Sequence, residues 1–428
     1  MSAEELAAAF DHGSEQLMRD PYPLYDALRT QCPLGRSEKY DGFYVVSRYE
    51  DVKRVFSDYS NFTSTHGNSI PPQPIQMYPI DLDPPTQTKF RKVLNPAFTA
   101  EAVDQHAARI QQTVDRYIDA FIADGAADLA AQLVRPIMPE IVLPIIGLPA
   151  EAATETVEQI DILTRRHKHD ERTIYEAYQG ITKYIVGLVA QRRQSAPADD
   201  IIGLLLKAKI DGAELSDEAI YRTVMIVLFG GLDTTTSVLL EAIYFLAANP
   251  EQKEVLRNSD DWSVAIEEFV RFTSPVQGLK RTVNADVALS GGKLQFGEII
   301  LALLGSANRD PEVFDRPDRC LLDREENPHL GFGIGAHICL GRYLARLEMK
   351  IVLRTLLERI PDFAVVPGFT PAYLAGETRG MKALPIRFTP TATDRQPENA
   401  AGRADLDVGE ATETATNRSP EWGGRPAV

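Results

Sequence analysis

The sequence predicts a mainly helical protein with a small share of β-strand. Helical periodicity dominates residues 100–206, where prolines and one polar link interrupt it. A second helix is predicted from Ser216 to Ala248, because Ser216 can cap its N-terminus and Pro250 follows its end. At about 1.5 Å per residue that helix would span roughly 50 Å, enough to cross a whole domain. Strand-like segments are short, such as those within 42–47 and 287–304.

The first hundred residues are predicted to contain short elements and one long loop. Residues 20–29 have the pattern of a short helix, 42–47 that of a strand, and 49–56 that of a following helix. Residues 63–83 show little periodicity and contain several prolines, as a surface loop does. A loop of this length inside a compact domain is more often a lid or a binding loop. Two prolines directly after it suit the first turn of another helix.

Composition and charge exclude several classes of partner. The 428 residues are 44% hydrophobic and 25% charged, which is ordinary for a globular protein. Acidic side chains outnumber basic ones by 61 to 45, and the net charge of −16 argues against nucleic acids and acidic membrane surfaces as partners. The three cysteines, Cys32, Cys320 and Cys339, are too few and too scattered for a disulfide framework. A reducing compartment is therefore expected.

The ends of the chain and its apolar stretches predict its localisation and domain limits. No basic segment leads into a long apolar run near the N-terminus, so no signal peptide is predicted. The longest apolar stretch, 224–232, is far shorter than the roughly 20 residues of a membrane-spanning helix. We therefore expect a cytoplasmic protein without a membrane segment. Residues 391–428 contain few large apolar side chains, so we expect one domain over 1–390 and a disordered tail over 391–428.

The most informative stretch is a glycine-rich loop around Cys339. It reads Phe332-Gly-Ile-Gly-Ala-His-Ile-Cys-Leu-Gly341 and precedes a predicted amphipathic helix over 342–359. A thiolate at the N-terminus of a helix is favoured by the helix dipole and by free backbone N–H groups. Gly333 allows backbone angles closed to other residues, and Gly341 lets a bulky group approach the chain closely. These features indicate a metal-binding cysteine, although a surface loop with an inert cysteine has the same composition.

The spacing of the glycines, the histidine and the cysteine in this loop resembles the haem-binding loop of the cytochrome P-450 family. In that family the cysteine is the thiolate ligand on the proximal side of the haem iron. The resemblance implies that Cys339 is the axial ligand and that Phe332, Gly333 and Gly341 lie against the haem. Because several positions match at fixed spacing, it favours this interpretation over an inert cysteine.

A group of small and polar residues interrupts the apolar centre of the predicted helix 216–248. It reads Gly230-Gly-Leu-Asp233-Thr234-Thr. Each interior glycine costs roughly 0.5–1 kcal/mol relative to alanine, and a buried carboxylate must find partners. A glycine such as Gly230 opens a groove for a flat ligand, and threonine hydroxyls can bond back to helix carbonyls and bend the helix. On the residues alone, a functional groove and a simple kink with a satisfied acid both fit.

The same residues are similar to the oxygen-activation motif of the cytochrome P-450 family. In that family an aspartate and a neighbouring threonine manage proton delivery during dioxygen activation. The resemblance therefore implies that Asp233 and Thr234 are the catalytic residues, acting as proton relay and donor. It also implies that Gly230 lies beside the haem.

A third motif, Glu-x-x-Arg, lies ahead of the cysteine loop. Glu268 and Arg271 stand three residues apart and so meet on one helix face. An exposed pair of this kind is worth only a few tenths of a kcal/mol, and the spacing is common by chance. In the cytochrome P-450 family, however, it is a buried structural ion pair that supports the proximal side of the haem. The resemblance implies the same role here.

Basic side chains hold the haem propionates in this family. The resemblance implies that Arg91, Arg281 and His337 do so here. Gln87 stands where family members commonly have histidine, and its amide can donate a hydrogen bond to a carboxylate but carries no charge. For Arg91, an exposed helix arginine is the alternative interpretation, and the propionate contact is favoured.

The resemblance covers about residues 15–390 and implies a fold, a cofactor and a reaction. The expected cytochrome P-450 fold is a single, mainly α domain with a small β-rich lobe, with haem b between the long central helix and the cysteine loop. The expected reaction inserts one oxygen atom from O2 into a small apolar organic substrate, by hydroxylation or epoxidation, as in the camphor-type branch. Candidate substrate contacts are Met77, Tyr78, Ile80, Ile226, Phe229, Val276 and Gln277.

Electrons are expected from separate proteins, because the sequence shows no fused reductase motif. The resemblance implies an acidic iron–sulfur ferredoxin and its NAD(P)H reductase, serving a monomeric enzyme. A basic docking patch is predicted from Lys89, Arg91, Lys92, Arg342 and Arg346. Two alternatives stay open. A haem-thiolate peroxygenase or isomerase needs no redox partner, and a non-enzymatic haem-binding sensor needs no apolar substrate pocket.

Overall fold

The computed structural model of the protein describes residues 2–196, 198–376 and 378–391. Helices dominate, and their bounds in chain order are α1 Ala3–Ala8, α2 Glu15–Arg19, α3 Tyr22–Gln31, α4 Tyr49–Ser57, α5 Thr86–Leu94, α6 Ala100–Asp104, α7 Ala107–Phe121, α8 Arg135–Ile146, α9 Ala153–Thr164, α10 Glu171–Arg192, α11 Ile201–Lys207, α12 Asp217–Leu232, α13 Thr234–Ala248, α14 Pro250–Arg257, α15 Ser263–Thr273, α16 Leu304–Ala307 and α17 Arg342–Arg359.

The strands are short, and their bounds are β1 Leu34–Ser37, β2 Phe43–Val46, β3 Phe62–Thr63, β4 Ala126–Asp128, β5 Lys209–Ile210, β6 Ala213–Glu214, β7 Leu279–Val283, β8 Val287–Leu289, β9 Gly292–Leu294, β10 Ile299–Ala302, β11 Ala364–Val365, β12 Tyr373–Leu374, β13 Gly380–Met381 and β14 Pro385–Arg387. The predicted fold class, mainly helical with a small β-rich lobe, is confirmed by this content.

The β-rich lobe is built on one five-stranded sheet in the order β1-β2-β10-β7-β3. β2 and β10 run parallel, whereas the other neighbours in this sheet are antiparallel. Because β10 inserts between β2 and β7, the sheet joins the start of the chain to the segment that leads into the cysteine loop. β11, β14 and β4 form a three-stranded sheet, and the remaining strands pair in twos.

The helices α12 and α13 run through the centre of the largest apolar cluster. α12 packs against α8 and α10, and α13 packs against α15 and α17. Residues 217–248 contain a window that is apolar and long enough to cross a membrane, but 67% of that window is buried inside the protein. Burial against the surrounding helices accounts for this apolar character, as in the core helix of a globular domain.

The predicted single helix 216–248 is interrupted at one residue. α12 ends at Leu232, Asp233 lies outside both helices, and α13 begins directly after it. The Thr236 hydroxyl donates to Leu232 O at 3.0 Å, and the Ser237 hydroxyl donates to Asp233 O at 2.9 Å. Such bonds capture helix carbonyls and are the usual way in which threonine and serine bend a helix. The interruption coincides with the polar group found in the sequence.

The other predicted elements match the structure closely. The helix predicted over 342–359 is α17, and the strand predicted over 42–47 is β2. Residues 64–85 form the predicted long loop between β3 and α5. The predicted disordered tail, 391–428, lies outside the described residues except for Thr391.

Candidate active site

A cavity of about 320 Å³ lies between the central helix pair and the cysteine loop. Gly230 and Thr234 line it from the helix side, and Phe332, Cys339 and Gly341 line it from the loop side. Most of the other lining residues are apolar. The fold therefore brings together two sequence motifs that lie far apart in the chain.

Gly230 and Gly341 both present open backbone to this cavity. A Cβ atom added to either glycine would meet no neighbouring atom within 4 Å. Gly231 differs, because a Cβ atom there would approach Val142 Cγ1 to 3.0 Å, and this glycine serves the packing of α12 on α8. A flat group held between the two motifs accounts for the two open glycines, since it could lie directly on the backbone.

The cysteine loop has the backbone shape that its glycines predict. Gly333 and Gly335 have φ angles of +69° and +71°, in the left-handed region that favours glycine. A Cβ atom on Gly335 would also approach Phe56 O to 2.9 Å, so the loop packs closely on α4. The Cys339 N–H donates to Phe332 O at 2.7 Å, and α17 begins shortly after the cysteine. The cysteine is thereby held at the N-terminus of α17.

The Cys339 side chain faces the cavity. Burial raises the pKa of its thiol, while the Gly341 N–H and the guanidinium groups of Arg342, Arg91 and Arg346 act to lower it. Burial outweighs them, so the thiol without a metal keeps its proton. A coordinated metal ion reverses this balance, because a coordinating thiol is deprotonated. This donor therefore fits a metal-bound thiolate.

Arg91, Arg281 and His337 form a cationic cluster beside the cavity. Arg91 and His337 line the cavity, and Arg281 is 2% exposed. Burial, together with the charges of the two arginines, lowers the pKa of His337 to about 3, so the imidazole is neutral at pH 7 and the arginines carry the positive charge of the cluster. Burial also lowers the pKa of Arg281 to about 10, against the attraction of Asp83 and Asp81.

The arginines of this cationic cluster are not in direct contact with a carboxylate among the described residues, although Asp83 and Asp81 attract Arg281 from a greater distance. Arg281 donates to the backbone oxygen of Lys280 at 2.7 Å, and burial lowers the pKa of the Arg91 guanidinium. Within the described chain neither arginine forms an ion pair with a carboxylate. A buried cation is costly unless it is paired. These features fit haem. Its iron would meet the thiol, its flat ring would lie between the two open glycines, and its two propionates would meet the arginines.

Besides Arg281, three residues that were predicted to contact the haem or the substrate do not line the cavity. The Gln87 amide donates to the backbone oxygen of Ala336 and so ties α5 to the cysteine loop. The Tyr78 ring packs on Phe90, with 5.2 Å between the ring centroids. The Gln277 side chain turns towards a separate cavity of about 30 Å³. In each case packing or hydrogen bonding with a nearby group sets the side-chain direction, which the local pattern did not show.

Five predicted substrate contacts do line the cavity. Met77 and Ile80 come from the loop 64–85, Ile226 and Phe229 come from α12, and Val276 precedes β7. All five side chains are apolar, as in most small-molecule pockets. The cavity is therefore suited to an apolar ligand.

Asp233 and Thr234 point in different directions. Thr234 lines the cavity, and its hydroxyl donates to Gly230 O at 2.8 Å. The Asp233 carboxylate instead accepts hydrogen bonds from Arg165 Nη2 at 3.0 Å and from the Thr378 hydroxyl. The helix interruption thus leaves the hydroxyl on the cavity wall and directs the neighbouring acid into an ion pair.

Sequence reasoning missed these two partners of Asp233. Arg165 directly follows α9, and Thr378 lies in the turn between β12 and β13. They stand 68 and 145 residues from Asp233 in the chain. No local pattern links positions this far apart, and only the fold brings them together.

Glu348 is a buried acid on α17 that sequence reasoning also missed, and it lines the cavity. Burial raises its pKa to about 8, although a hydrogen bond with the Thr235 side chain acts to lower it. Its Oε1 atom has no hydrogen-bond partner in the described part of the chain. A signal was present, because Glu348 stands in the buried stripe between Leu344 and Val352, where an acid is unusual.

Glu268 and Arg271 form an ion pair with both side chains fully buried. Arg271 Nε and Nη2 donate to the carboxylate at 2.7 and 2.8 Å, and Arg324 Nε donates to it at 3.0 Å. Arg271 also donates to three backbone oxygens within residues 308–319. The pair therefore braces the irregular segment between α16 and the cysteine loop.

Three residues of the predicted basic patch are engaged within the protein. Arg91 lines the cavity, Lys89 pairs with Asp211 at 2.6 Å, and Arg346 pairs with Glu267 at 2.5 Å. A docking partner would therefore meet a narrower patch than the sequence predicted.

Comparisons with known proteins bear on this site. The family model described as cytochrome P-450 matches residues 150–260 and 263–364. The steroid C26-monooxygenase of Mycolicibacterium smegmatis is 31% identical over 387 residues, which cover 86% of this chain and 92% of the relative. The steroid C26-monooxygenase of Mycobacterium tuberculosis is 30% identical over 399 residues, which cover 89% of this chain and 96% of the relative.

Solved structures show the same similarity. CYP109E1 from Bacillus megaterium in complex with corticosterone matches with a TM-score of 0.78 and 30% identity, over 87% of this chain and 99% of that chain. The cytochrome P-450 PksS of Bacillus subtilis 168 matches with a TM-score of 0.81 and 26% identity, over 89% of this chain and 100% of that chain. By its fold, and by sequence over most of its length, this chain belongs to the cytochrome P-450 family of monooxygenases, which hold haem b and use O2 as co-substrate.

Proposed function

We propose that this cytochrome P-450 hydroxylates or epoxidises a small apolar molecule, with electrons from a separate ferredoxin and its NAD(P)H reductase. The observation that carries the proposal is the apolar lining of the cavity that Cys339 faces. Two similar proteins, a steroid C26-monooxygenase and CYP109E1 in complex with corticosterone, support a steroid or a similarly rigid terpenoid as substrate. We place the enzyme in the cytoplasm, as a monomer.

The protein's part is to bind and orient the haem and the substrate. When bound, the haem supplies the activation of dioxygen. Cys339 would provide the thiolate ligand, with Phe332 and Gly333 beside it, and Gly230 and Gly341 would leave room for the haem against the backbone. Arg91 and Arg281 of the cationic cluster would hold the propionates, with His337 as a neutral hydrogen-bonding group beside them, because neither arginine forms an ion pair with a carboxylate among the described residues.

Proton delivery falls to the residues at the helix interruption. The Thr234 hydroxyl lies at the cavity, and Asp233, the residue directly before it, would act as the relay that is held by Arg165 and Thr378. Glu348 provides a second proton donor on the cavity wall, because with a pKa of about 8 its carboxyl group is mostly protonated at neutral pH.

An acidic ferredoxin would dock on the cysteine side of the molecule. Lys92 is exposed there, and Arg342 lies half-buried at the start of α17. Electrostatic docking of this kind makes the association rate fall with ionic strength. A rate of reduction by ferredoxin that does not change with salt would contradict this part of the proposal.

Spectroscopy followed by product analysis tests the function. The reduced, carbon monoxide-treated protein is expected to show the red-shifted Soret absorption of thiolate-bound haem. A panel of steroids, terpenoids and fatty acids is then screened for a spin-state change. The best ligand is turned over with ferredoxin, reductase and isotopically labelled O2, and one labelled oxygen atom is expected in the product.

Two outcomes would favour the alternatives. Product formed from hydrogen peroxide at full rate, without any need for the electron donors, would favour a peroxygenase. A spin-state response to ligands without any product would favour a sensor.

A further inference from the structure

The carboxylate of Glu267 joins the two ends of the cysteine loop. It accepts two hydrogen bonds from Arg346, at 2.5 and 2.8 Å, and one from His329, at 2.9 Å. His329 precedes the loop in the chain, and Arg346 follows it on α17. We call Glu267, His329 and Arg346 the carboxylate clamp.

The clamp reaches the backbone around Cys339 from both sides. His329 Nδ1 accepts the Gly331 N–H at 3.1 Å, and its Nε2 donates to the clamp carboxylate. The Arg346 guanidinium lies 4.4 Å from the centre of the Phe332 ring. Phe332 O in turn accepts the Cys339 N–H at 2.7 Å. A movement of either clamp partner would therefore be transmitted to the cysteine.

The clamp also balances charge close to the cysteine sulfur. The Arg346 guanidinium lies on the Phe332 ring, and the backbone oxygen of Phe332 accepts the Cys339 N–H, so a positive charge stands beside the cysteine backbone. Burial raises the pKa of Glu267, but the hydrogen bonds from Arg346 and His329 outweigh it and lower that pKa to about 2. The carboxylate is therefore ionised at neutral pH. One negative and one positive charge thus face each other beside the cysteine loop.

The neighbouring Glu268 serves a different segment of the chain. Its partners are Arg271, Arg324, the Leu321 N–H and the Asn327 amide, and none of them belongs to the clamp. On α15, Glu268 therefore braces the chain ahead of the loop, and Glu267 braces the loop itself. Of the two carboxylates, Glu267 is the one that is bonded to residues on both sides of the cysteine loop.

We propose that Glu267 and Arg346 are positioning residues for the haem thiolate, and that their balanced charges set the reduction potential of the iron. This inference rests on the haem-thiolate site of the proposed function. Groups around a metal ligand tune the metal in this way. With Glu267 neutralised, the unbalanced charge of Arg346 favours the reduced iron and raises the potential. With Arg346 neutralised, the charge of Glu267 lowers it.

The midpoint potential of the purified, haem-loaded protein tests this inference. Glu267→Gln is expected to shift the potential upwards, Arg346→Gln to shift it downwards, and the double variant to return towards the wild-type value. Both single substitutions break the same ion pair, so a merely structural role would shift both in the same direction. That outcome, or no shift in either variant, would overturn the inference.

Glu358→Gln is the matched control. Glu358 also pairs with an arginine of α17, Arg354, at 2.8 Å, but both side chains are exposed at the far end of the helix. This variant is expected to leave the potential unchanged, and a shift equal to that of Glu267→Gln would overturn the local effect.

A charge-retaining variant keeps the test decisive if a neutralised variant fails to bind haem. Arg346→Lys preserves the charge but not the two-bond geometry. We expect a potential close to wild type and a several-fold faster loss of the thiolate-type Soret band from the reduced carbon monoxide complex. A large shift in potential would overturn the inference. A wild-type protein without that band would refute the proposed function instead, so the two failures are distinguishable.

Discussion

The two walls of the haem cavity are built in different ways. The proximal wall is almost one continuous stretch, from His329 to Arg346, and its braces come from α15. The distal wall draws Met77 from a loop, Phe229 from α12 and Thr378 from a turn near the end of the described chain. A continuous wall can be predicted from local sequence, whereas an assembled wall exists only once the chain has folded.

The proximal braces and the cavity lining also differ in how they treat buried charge. On the proximal side, Glu267 and Glu268 are each held by several hydrogen bonds. At the cavity itself, Arg91 has no counter-ion and Glu348 Oε1 has no hydrogen-bond partner among the described residues. Unpaired buried groups raise the free energy of the folded protein. We infer that the proximal wall supplies stability, and that the cavity keeps its polar groups ready for ligands and protons.

The largest expected effect is that of removing the proximal sulfur. Cys339→Ala is expected to abolish the red-shifted Soret band of the reduced carbon monoxide complex, because the sulfur that faces the cavity is gone. Cys320→Ala is the control, since Cys320 packs against the apolar core, and it is expected to keep the band. A Cys339→Ala protein with an unchanged band would refute the assigned ligand.

The second prediction tests whether the proximal wall carries stability. Arg271→Met leaves the buried Glu268 carboxylate short of a partner and also frees three backbone oxygens. Breaking a buried pair from one side costs about 3–5 kcal/mol, and we expect a loss of that order in the free energy of unfolding, measured by urea denaturation.

An exposed ion pair provides the comparison for this loss. Arg172 and Glu176 on α10 pair at 2.7 Å with side chains that are 86% and 61% exposed. Arg172→Met is expected to change the free energy of unfolding far less than Arg271→Met does, because solvent screens an exposed pair. Equal losses in the two variants would show that the proximal wall is no more important for stability than the surface.

The contrast between the walls also explains what the sequence could predict. The limits of α17, the left-handed glycines of the loop and the meeting of Glu268 with Arg271 all follow from local spacing, and the structure has them. The direction of Tyr78 and Gln277 does not follow from spacing, because packing partners decide it. Arg165 could not be found at all, since it meets Asp233 only through the tertiary fold.

The third prediction concerns the acid on the cavity wall. The pKa of Glu348 is raised from 4.5 to about 8 by burial. The folded protein therefore binds this proton more tightly than the unfolded chain does, and the wild type loses stability as pH rises from about 4.5 to about 8. Glu348→Gln removes this dependence, so the variant is expected to gain about 1–3 kcal/mol relative to the wild type between those limits.

Urea denaturation at several pH values measures this difference. Glu358→Gln, on the exposed end of the same helix, is the control and is expected to show no change with pH relative to the wild type. A difference between Glu348→Gln and the wild type that stays constant across the range would contradict a buried, protonated Glu348.

The smallest expected effect on stability and haem binding is that of a substitution in the distal wall. Thr234→Ala removes a hydroxyl that lines the cavity and donates to Gly230 O. We expect haem binding and stability to persist, while the share of reducing equivalents released as hydrogen peroxide rises roughly tenfold or more, because a positioned proton donor is lost. Peroxide release and product formation are measured together with NAD(P)H consumption.

Thr236→Ala separates proton delivery from helix geometry. The Thr236 hydroxyl donates to Leu232 O at 3.0 Å in the same helix interruption, but Thr236 does not line the cavity. If bending of the helix were the main contribution of these hydroxyls, both variants would waste reducing equivalents to the same extent. If the hydroxyl at the cavity delivers protons, only Thr234→Ala will release more of its reducing equivalents as peroxide. The distal wall would then contribute proton transfer, whereas the proximal wall contributes stability.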